Sequence, residues 1–258
     1  MPIHPTAIVD ASAQIAESAD IGPYCVIGAD VSIGARTRLM GHIFIEGPTE
    51  IGEDNVFYPY ASVGVAPQDL KYKGERSSTT IGDRNKIREF VTIHRGTQGG
   101  RMLTSIGSDN LVSAYGHVAH DTDIGNHTVL SHGATLGGHV VIGDWAVVGA
   151  YTGIHQFCRV GRHAMIGGYS VITQDVLPYA TTVSTRENKI FGANRVGLER
   201  RGFADEAIEP LQTAFRLLTR AGLNTSQAIE RIKEEVPATV EITELLEFIA
   251  SSERGFIK

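Results

Sequence analysis

The sequence predicts a mainly β protein, a parallel β-helix of hexapeptide repeats over residues 1–190 followed by a small α-helical domain over 191–258. Three observations carry this expectation. Aliphatic residues recur every six positions as far as Ile172, glycine follows them in 13 of 24 cases, and after Leu177-Pro178 the period gives way to helical spacing.

The period runs from Ile15 through Ile21, Ile27, Ile33, Leu39, Ile45, Ile51 and Phe57 to Val63. It resumes at Ile81, Ile87 and Ile93, then shifts by one residue and continues unbroken from Ile106 to Ile172. Of these 24 positions, 23 are Ile, Leu or Val, which no amphipathic α-helix would produce at a strict spacing of six. Each hexapeptide is one short strand and a corner, and three make a triangular coil of 18 residues. Side chains alternate across a strand, so if position i points inward, so does i+4 of the preceding repeat. Small residues such as Cys25, Thr37, Ala134, Ala146, Thr152, Cys158 and Ser170 occupy i+4, as a narrow interior requires. Glycine at i+1 is expected to turn the corner. Cys25 and Cys158 are then core thiols, on the order of 30 Å apart at ~4.8 Å per layer, too far for a disulfide.

Two segments interrupt the repeats. Residues 64–80 contain "QDLKYKG", dense in donors and acceptors, and are expected to carry function. Residues 94–105, "HRGTQGGRMLTS", are equally compatible with function and with a tolerated insertion. In the tail, Leu211, Phe215 and Leu218 mark a helix ending at Gly222, with Pro210 in its first turn or at a kink. "TSQAIERIKEEV" and "TVEITELLEFIASS" read as two more, and the tail is expected to pack on the end or side of the β-helix.

A net charge of −6 argues against nucleic acid as the main partner. The first 20 residues lack the pattern of a secretory signal, and no apolar run is long enough to span a membrane, so a cytoplasmic location is expected.

Seven of the ten histidines lie between His117 and His163, and none of the seven occupies an inward position. His127 and His163, at i+3 on one side, are expected at the surface. Aligned by 18 residues, His120, Asp121, His139, His155 and Gln156 converge on one corner within about 10 Å. Ala119, Gly137 and Gly138 lie among them and leave room for a ligand. Three histidines could hold an open zinc site. A histidine beside a carboxylate in a cleft wide enough for an organic substrate favours proton transfer instead.

The hexapeptides together with "QDLKYKGE", "HRGT", "AHD", "GATLGGHV", "GIHQFCRVG" and "RRGF", in this order, resemble the UDP-N-acetylglucosamine acyltransferase family, the first enzymes of lipid A biosynthesis. The resemblance runs from end to end. It implies a left-handed coil, a homotrimer and transfer of an (R)-3-hydroxyacyl chain from acyl carrier protein to the sugar 3-hydroxyl, with no cofactor and no metal. By the same resemblance His120 is the general base, Asp121 orients it, and Gly138 N–H holds the oxyanion. His117, His139, His155, Gln156, Gln68, Asp69, Lys71, Asn194, Arg200 and Arg201 bind substrate, the arginines at phosphate. Gly168 sets acyl length, and a glycine there implies a long chain, near fourteen carbons. The chain departs from the family pattern at Thr185–Lys189 and at Val196. Those departures leave room for a 3-amino UDP-sugar and an amide product. The N-acyltransferase of the same pathway, a zinc hydro-lyase on the same fold and a passive scaffold are the competing readings.

Overall fold

The computed structural model describes residues 3–184, 188–219 and 221–257. Among the described residues three sheets, of nine, eight and ten strands, form the sides of a triangular prism; their strands pair parallel with those of the next coil, except for one antiparallel strand at the end of the third sheet. Regular coils repeat at 18 residues, as in Val26↔Phe44 and Thr135↔Gly153. The inward side chains from Ile21 to Ile172 are all buried, and only Ile15 of the 24, near the open N-terminal end, is partly exposed. Cys25 and Cys158 are buried free thiols, and burial pushes both to weaker acidity.

The interior holds more than hydrocarbon. At i+4 along one column, Thr37, Asn55, Asn85, Asn110 and Thr128 are buried. Each asparagine carboxamide accepts from the backbone N–H of the residue one coil on: Asn85 to Asn55 at 2.9 Å, Asn110 to Asn85 at 2.9 Å, Thr128 to Asn110 at 2.7 Å. Their Nδ2 groups donate to the carbonyls of Gly82, Gly107 and Gly125. In this column the polar residues form a ladder that satisfies itself, while Thr122, Thr152 and Ser170 elsewhere in the core donate their hydroxyls to backbone carbonyls.

The corners differ from the expectation in one respect. The left-handed residue that turns the chain is at i+3, not at the glycine of i+1: Tyr24 (φ 57°), Asp121 (φ 59°) and His139 (φ 62°) are examples. Asp and His tolerate this region better than most residues, which accounts for their presence there. The i+1 glycines serve close stacking instead; a Cβ on Gly22 would lie 2.5 Å from the carbonyl oxygen of Met40. One column of i+3 residues is a stack of rings, Tyr24, His42, Tyr60, Phe90 and Tyr115, with centroids 4.9–5.1 Å apart. A second holds the ion pairs Arg36–Asp54 and Arg84–Asp109. The third column carries Asp121, His139 and Phe157, and both insertions leave from this corner, after strands Ser62–Val65 and Thr92–His94. The register lengthens there from 18 to 30 residues (Asn55 to Asn85) and then to 25 (Thr92 to His117).

The coil continues past the last legible repeat. Val176 bridges to Val160, and Met165↔Thr181 and Ile166↔Thr182 extend the third sheet. A slip of two residues and a threonine at the inward position disguise this turn of the helix. Strand Ala180–Ser184 then pairs antiparallel with Asn188–Ala193. Among the described residues four helices follow, α1 (Arg195–Arg200), α2 (Asp205–Thr219), α3 (Thr225–Glu235) and α4 (Val240–Ala250). The first was not expected, and Pro210 is the sixth residue of α2 rather than in its first turn. The tail packs on the end of the prism: Tyr179 Oη donates to Glu244 of α4, Arg159 stacks on Phe248, and Asp175 bridges to Phe256. His163, expected at the surface, is buried in this joint between Trp145, Tyr179 and Phe203.

Candidate active site

Three layers of the third corner assemble the histidines. His120 sits at i+2 after strand His117–Val118, and its ring lies against Gly138 one layer on; a Cβ there would be 2.6 Å from Nε2. Asp121, the left-handed corner residue, is 2% exposed, and its Oδ2 lies 2.8 Å from His120 Nδ1. His139 stands perpendicular to His120 at 5.1 Å and stacks flat on Phe157 at 4.3 Å.

Asp121 is held by the second insertion. Its carboxylate accepts from Thr97 N–H at 3.1 Å, Thr97 Oγ1 at 2.6 Å and Arg101 N–H at 2.8 Å, besides His120. Burial opposes ionisation of Asp121, but the hydrogen bonds from His120 and Thr97 outweigh it and hold the carboxyl down at about 2. An ionised Asp121 only accepts, so His120 Nδ1 carries the proton and its Nε2 presents a lone pair beside Gly138. Gly138 N–H has no acceptor among the described residues. A base with a fixed tautomer, an adjacent free amide donor and an open space between them can deprotonate a hydroxyl and stabilise an oxyanion.

That space is part of an open groove of about 530 Å³ running along the first sheet. Gln68, His94, His117, Ala119, His120, Gly137, Gly138, His155 and Gln156 line it, and Thr135, Gly153, Val171, Ile172 and Thr173 extend it. Histidines and carboxamides line one end, and Gly153, Ile154, Val171 and Ile172 lie towards the other with Thr135 and Thr173. Burial, together with His117 and His120 nearby, pushes the His94 imidazole down to about 4, and burial lowers His117 also. His139 is lowered by burial against the pull of Asp121 and Asp69. His94 and Thr97 were not singled out from sequence. Aligning the corners at 25 residues instead of 18 across the second insertion would have put His94 beneath Ala119.

The remaining candidates divide. Gln68 reaches the groove and Asp69 lies close enough to act on His139, whereas Lys71 is exposed on the loop outside the lining. Asn194, Arg200 and Arg201 lie on another face, beside Val147 and Met165 of the third sheet, where with Val196 and Gly197 they line a second groove of about 490 Å³. Asn194 there caps α1, accepting from Gly197 N–H, and donates to His163 O at 3.1 Å. Arg201 donates to Trp145 O at 3.1 Å, and Arg200 is exposed. Gly168 sits at the corner between those two faces, stacked on Ala150 one coil below, whose carbonyl oxygen would lie 3.1 Å from a Cβ there. Thr185, Arg186 and Glu187, where the chain departs from the family pattern, lie outside the described residues.

His120, Asp121 and His139 offer donor atoms within 4.8 Å of one another, the one such metal-compatible cluster among the described residues. Four hydrogen-bond donors already occupy the Asp121 oxygens, and the 2.8 Å contact to His120 is a hydrogen bond in length. The donor set suits proton transfer better than ligation.

Comparison with known proteins gives one answer. The model of the UDP N-acetylglucosamine O-acyltransferase domain 2 family matches residues 175–257. A curated relative from Thermodesulfovibrio yellowstonii, named acyl-[acyl-carrier-protein]–UDP-N-acetylglucosamine O-acyltransferase, is 48% identical over 99% of each chain. LpxA from Acinetobacter baumannii superposes over 100% of both chains with a TM-score of 0.96 at 43% identity. LpxA from Bacteroides fragilis, titled a UDP-N-acetylglucosamine acyltransferase, covers 99% of this chain and is itself covered completely, with a TM-score of 0.97 at 41% identity. The fold is therefore the left-handed parallel β-helix.

Proposed function

The chain belongs to the acyl-[acyl-carrier-protein]–UDP-N-acetylglucosamine O-acyltransferase family, and from that premise we propose that it moves an (R)-3-hydroxyacyl chain from acyl carrier protein to the 3-hydroxyl of UDP-N-acetylglucosamine. The observation that carries the mechanism is the His120–Asp121 pair facing Gly138. His120 Nε2 takes the proton of the sugar 3-hydroxyl, and the oxygen attacks the thioester carbonyl carbon. The resulting oxyanion is held by Gly138 N–H. Collapse breaks the C–S bond, and the carrier thiolate takes the proton from His120, leaving an ester and free carrier thiol. Asp121 stays ionised throughout and keeps Nδ1 protonated. His117, His155, Gln156 and Gln68 line the groove around the sugar, His139 and Asp69 act from beside it, and the end with Gly153, Ile154, Val171 and Ile172 takes the acyl chain.

The second groove explains why the candidates fall on two faces. In a closed threefold trimer the first-sheet face of one subunit meets the third-sheet face of the next. Asn194, Arg200 and Arg201 of one subunit would then complete the groove of its neighbour, with the arginines at the diphosphate. Gly168, on the corner between these faces, would lie at the acyl end. No helix among the described residues is long and apolar enough to cross a membrane. A cytoplasmic place at the start of lipid A synthesis, where the acyl carrier substrate is made, fits this reading.

The test is transfer from a panel of 3-hydroxyacyl carrier proteins to UDP-N-acetylglucosamine and to its 3-amino analogue, with the metal content of the enzyme measured. Ester formation by metal-free wild type, abolished in His120→Ala, is expected. Stoichiometric zinc, amide as the main product, or a His120→Ala variant at near-full rate would each displace the reading. Gly168→Met is expected to shift preference towards shorter donors, and unchanged selectivity would remove Gly168 from the acyl site.

A further inference from the structure

The second insertion touches both the base and the substrate loop. On one side Thr97 and Arg101 bind Asp121 as described, and Gly100 lies so close to that carboxyl that a Cβ would collide with it. On the other side Arg95 Nε donates to Gly64 O at 2.7 Å, Arg95 N–H to Val65 O at 3.2 Å, and Gln98 N–H to Glu75 Oε1 at 3.0 Å. His94 Nδ1 accepts from Gln68 N–H at 3.4 Å. Residues 94–101 are thus a strap between the loop of residues 64–80 and the carboxylate behind His120.

We propose that Thr97 is a positioning residue of the transfer reaction, acting through Asp121, and that the strap joins the substrate loop and the base into one rigid assembly. Three of the four donors to Asp121 come from backbone or from His120 itself; the Thr97 hydroxyl is the side-chain contact the strap adds, and at 2.6 Å it is the shortest. It holds the carboxylate with Oδ2 towards His120 Nδ1, so the imidazole keeps its tautomer and its aim at the groove. Thr97 is itself 3% exposed and does not line that groove, so its effect falls on the rate of the chemical step and not on sugar binding.

The inference rests on the acyltransferase reading, and its test separates the two. Thr97→Val and Thr97→Ser are compared with wild type in steady-state transfer, and the proton between His120 Nδ1 and Asp121 is followed by ¹H NMR of the intact protein. Thr97→Val is expected to lose on the order of ten- to a hundredfold in kcat, the weight of one hydrogen bond to a charged group. The KM for UDP-N-acetylglucosamine should stay within about twofold, since uniform binding is untouched. Its downfield proton should move or broaden, and Thr97→Ser should recover most of the rate and the wild-type resonance. A valine variant with wild-type kcat, a serine variant as poor as valine, or a loss confined to KM would overturn the proposal. If wild type transfers no acyl group, the acyltransferase reading fails, and the NMR resonance still decides: unchanged in Thr97→Val, it overturns the strap's role, and shifted there but restored by serine, it sustains it.

Discussion

At the scale of single residues, the site depends as much on missing side chains as on present ones. Gly138 leaves the space into which His120 Nε2 points, and a Cβ there would sit 2.5 Å from the ring. Gly138→Ala is therefore expected to turn the His120 ring off its aim while the coil stays folded. The predicted outcome is a fall in kcat of at least about a hundredfold, comparable to losing general-base catalysis, with little change in thermal melting. Equal rates would mean that the groove does not need that space. Much of this geometry was legible in the sequence because a strict period converts residue number into position: His120, Asp121, His139 and Gly138 were placed by subtracting 18. What was not legible came from breaks in the same arithmetic. His94 stands under Ala119 only after the second insertion has added seven residues to the coil, as the Thr92–His117 register shows. Thr97 lies in a loop whose path no periodicity describes, and its role follows from contacts alone.

At the scale of elements, two columns of side chains carry stability in different ways. The asparagine ladder gives buried carboxamides every partner they need, so removing one rung strands the next. Asn85→Leu would leave Asn110 N–H and Gly107 O without the partners they have now, at a cost of about 2–4 kcal/mol. Denaturant unfolding should show this as a lower midpoint, and an unchanged midpoint would mean that water or neighbouring hydroxyls replace the rung. The joint with the tail behaves differently because it buries a titratable ring. Burial pushes His163 down to about 4, with Arg162 and Arg201 adding to the effect and Asp144 opposing it. In the unfolded chain a histidine takes its proton near its ordinary value of about 6.5. Between those two values the unfolded state binds more protons, so stability is at its full level above about 6.5 and falls as the pH drops towards 4. The upper bound for the loss is on the order of 3 kcal/mol. The melting temperature of His163→Phe should depend less on pH across that window than that of wild type; parallel curves would place the acid sensitivity elsewhere. The sequence reading put His163 on the surface because the hexapeptide rule says only that i+3 leaves the coil. It does not say what covers that position, and here the tail does.

At the scale of the whole molecule, one prism presents two separate grooves on adjacent faces. The histidine corner and its apolar extension lie along the first sheet, while Asn194, Arg200 and Arg201 lie against the third, with the corner of stacked rings between them. Within one subunit the arginines and the histidines line different grooves, on faces that meet at the corner of stacked rings. The proposed threefold arrangement would bring them together for all three sites at once, and it would place the same residues of each subunit in the same two roles. This makes a quantitative prediction. His120→Ala and the Arg200→Ala, Arg201→Ala double variant should each be nearly inactive alone at limiting substrate. When both are produced together and exchange subunits at random, each interface draws its histidine and its arginines from different chains. About one quarter of the interfaces then hold an intact site, and activity should return to roughly that fraction of wild type. Rescue requires that the two halves come from different subunits. If mixed trimers, verified by mass, recovered nothing beyond their parents, each subunit would have to contain its whole site, and the second groove would need another occupant.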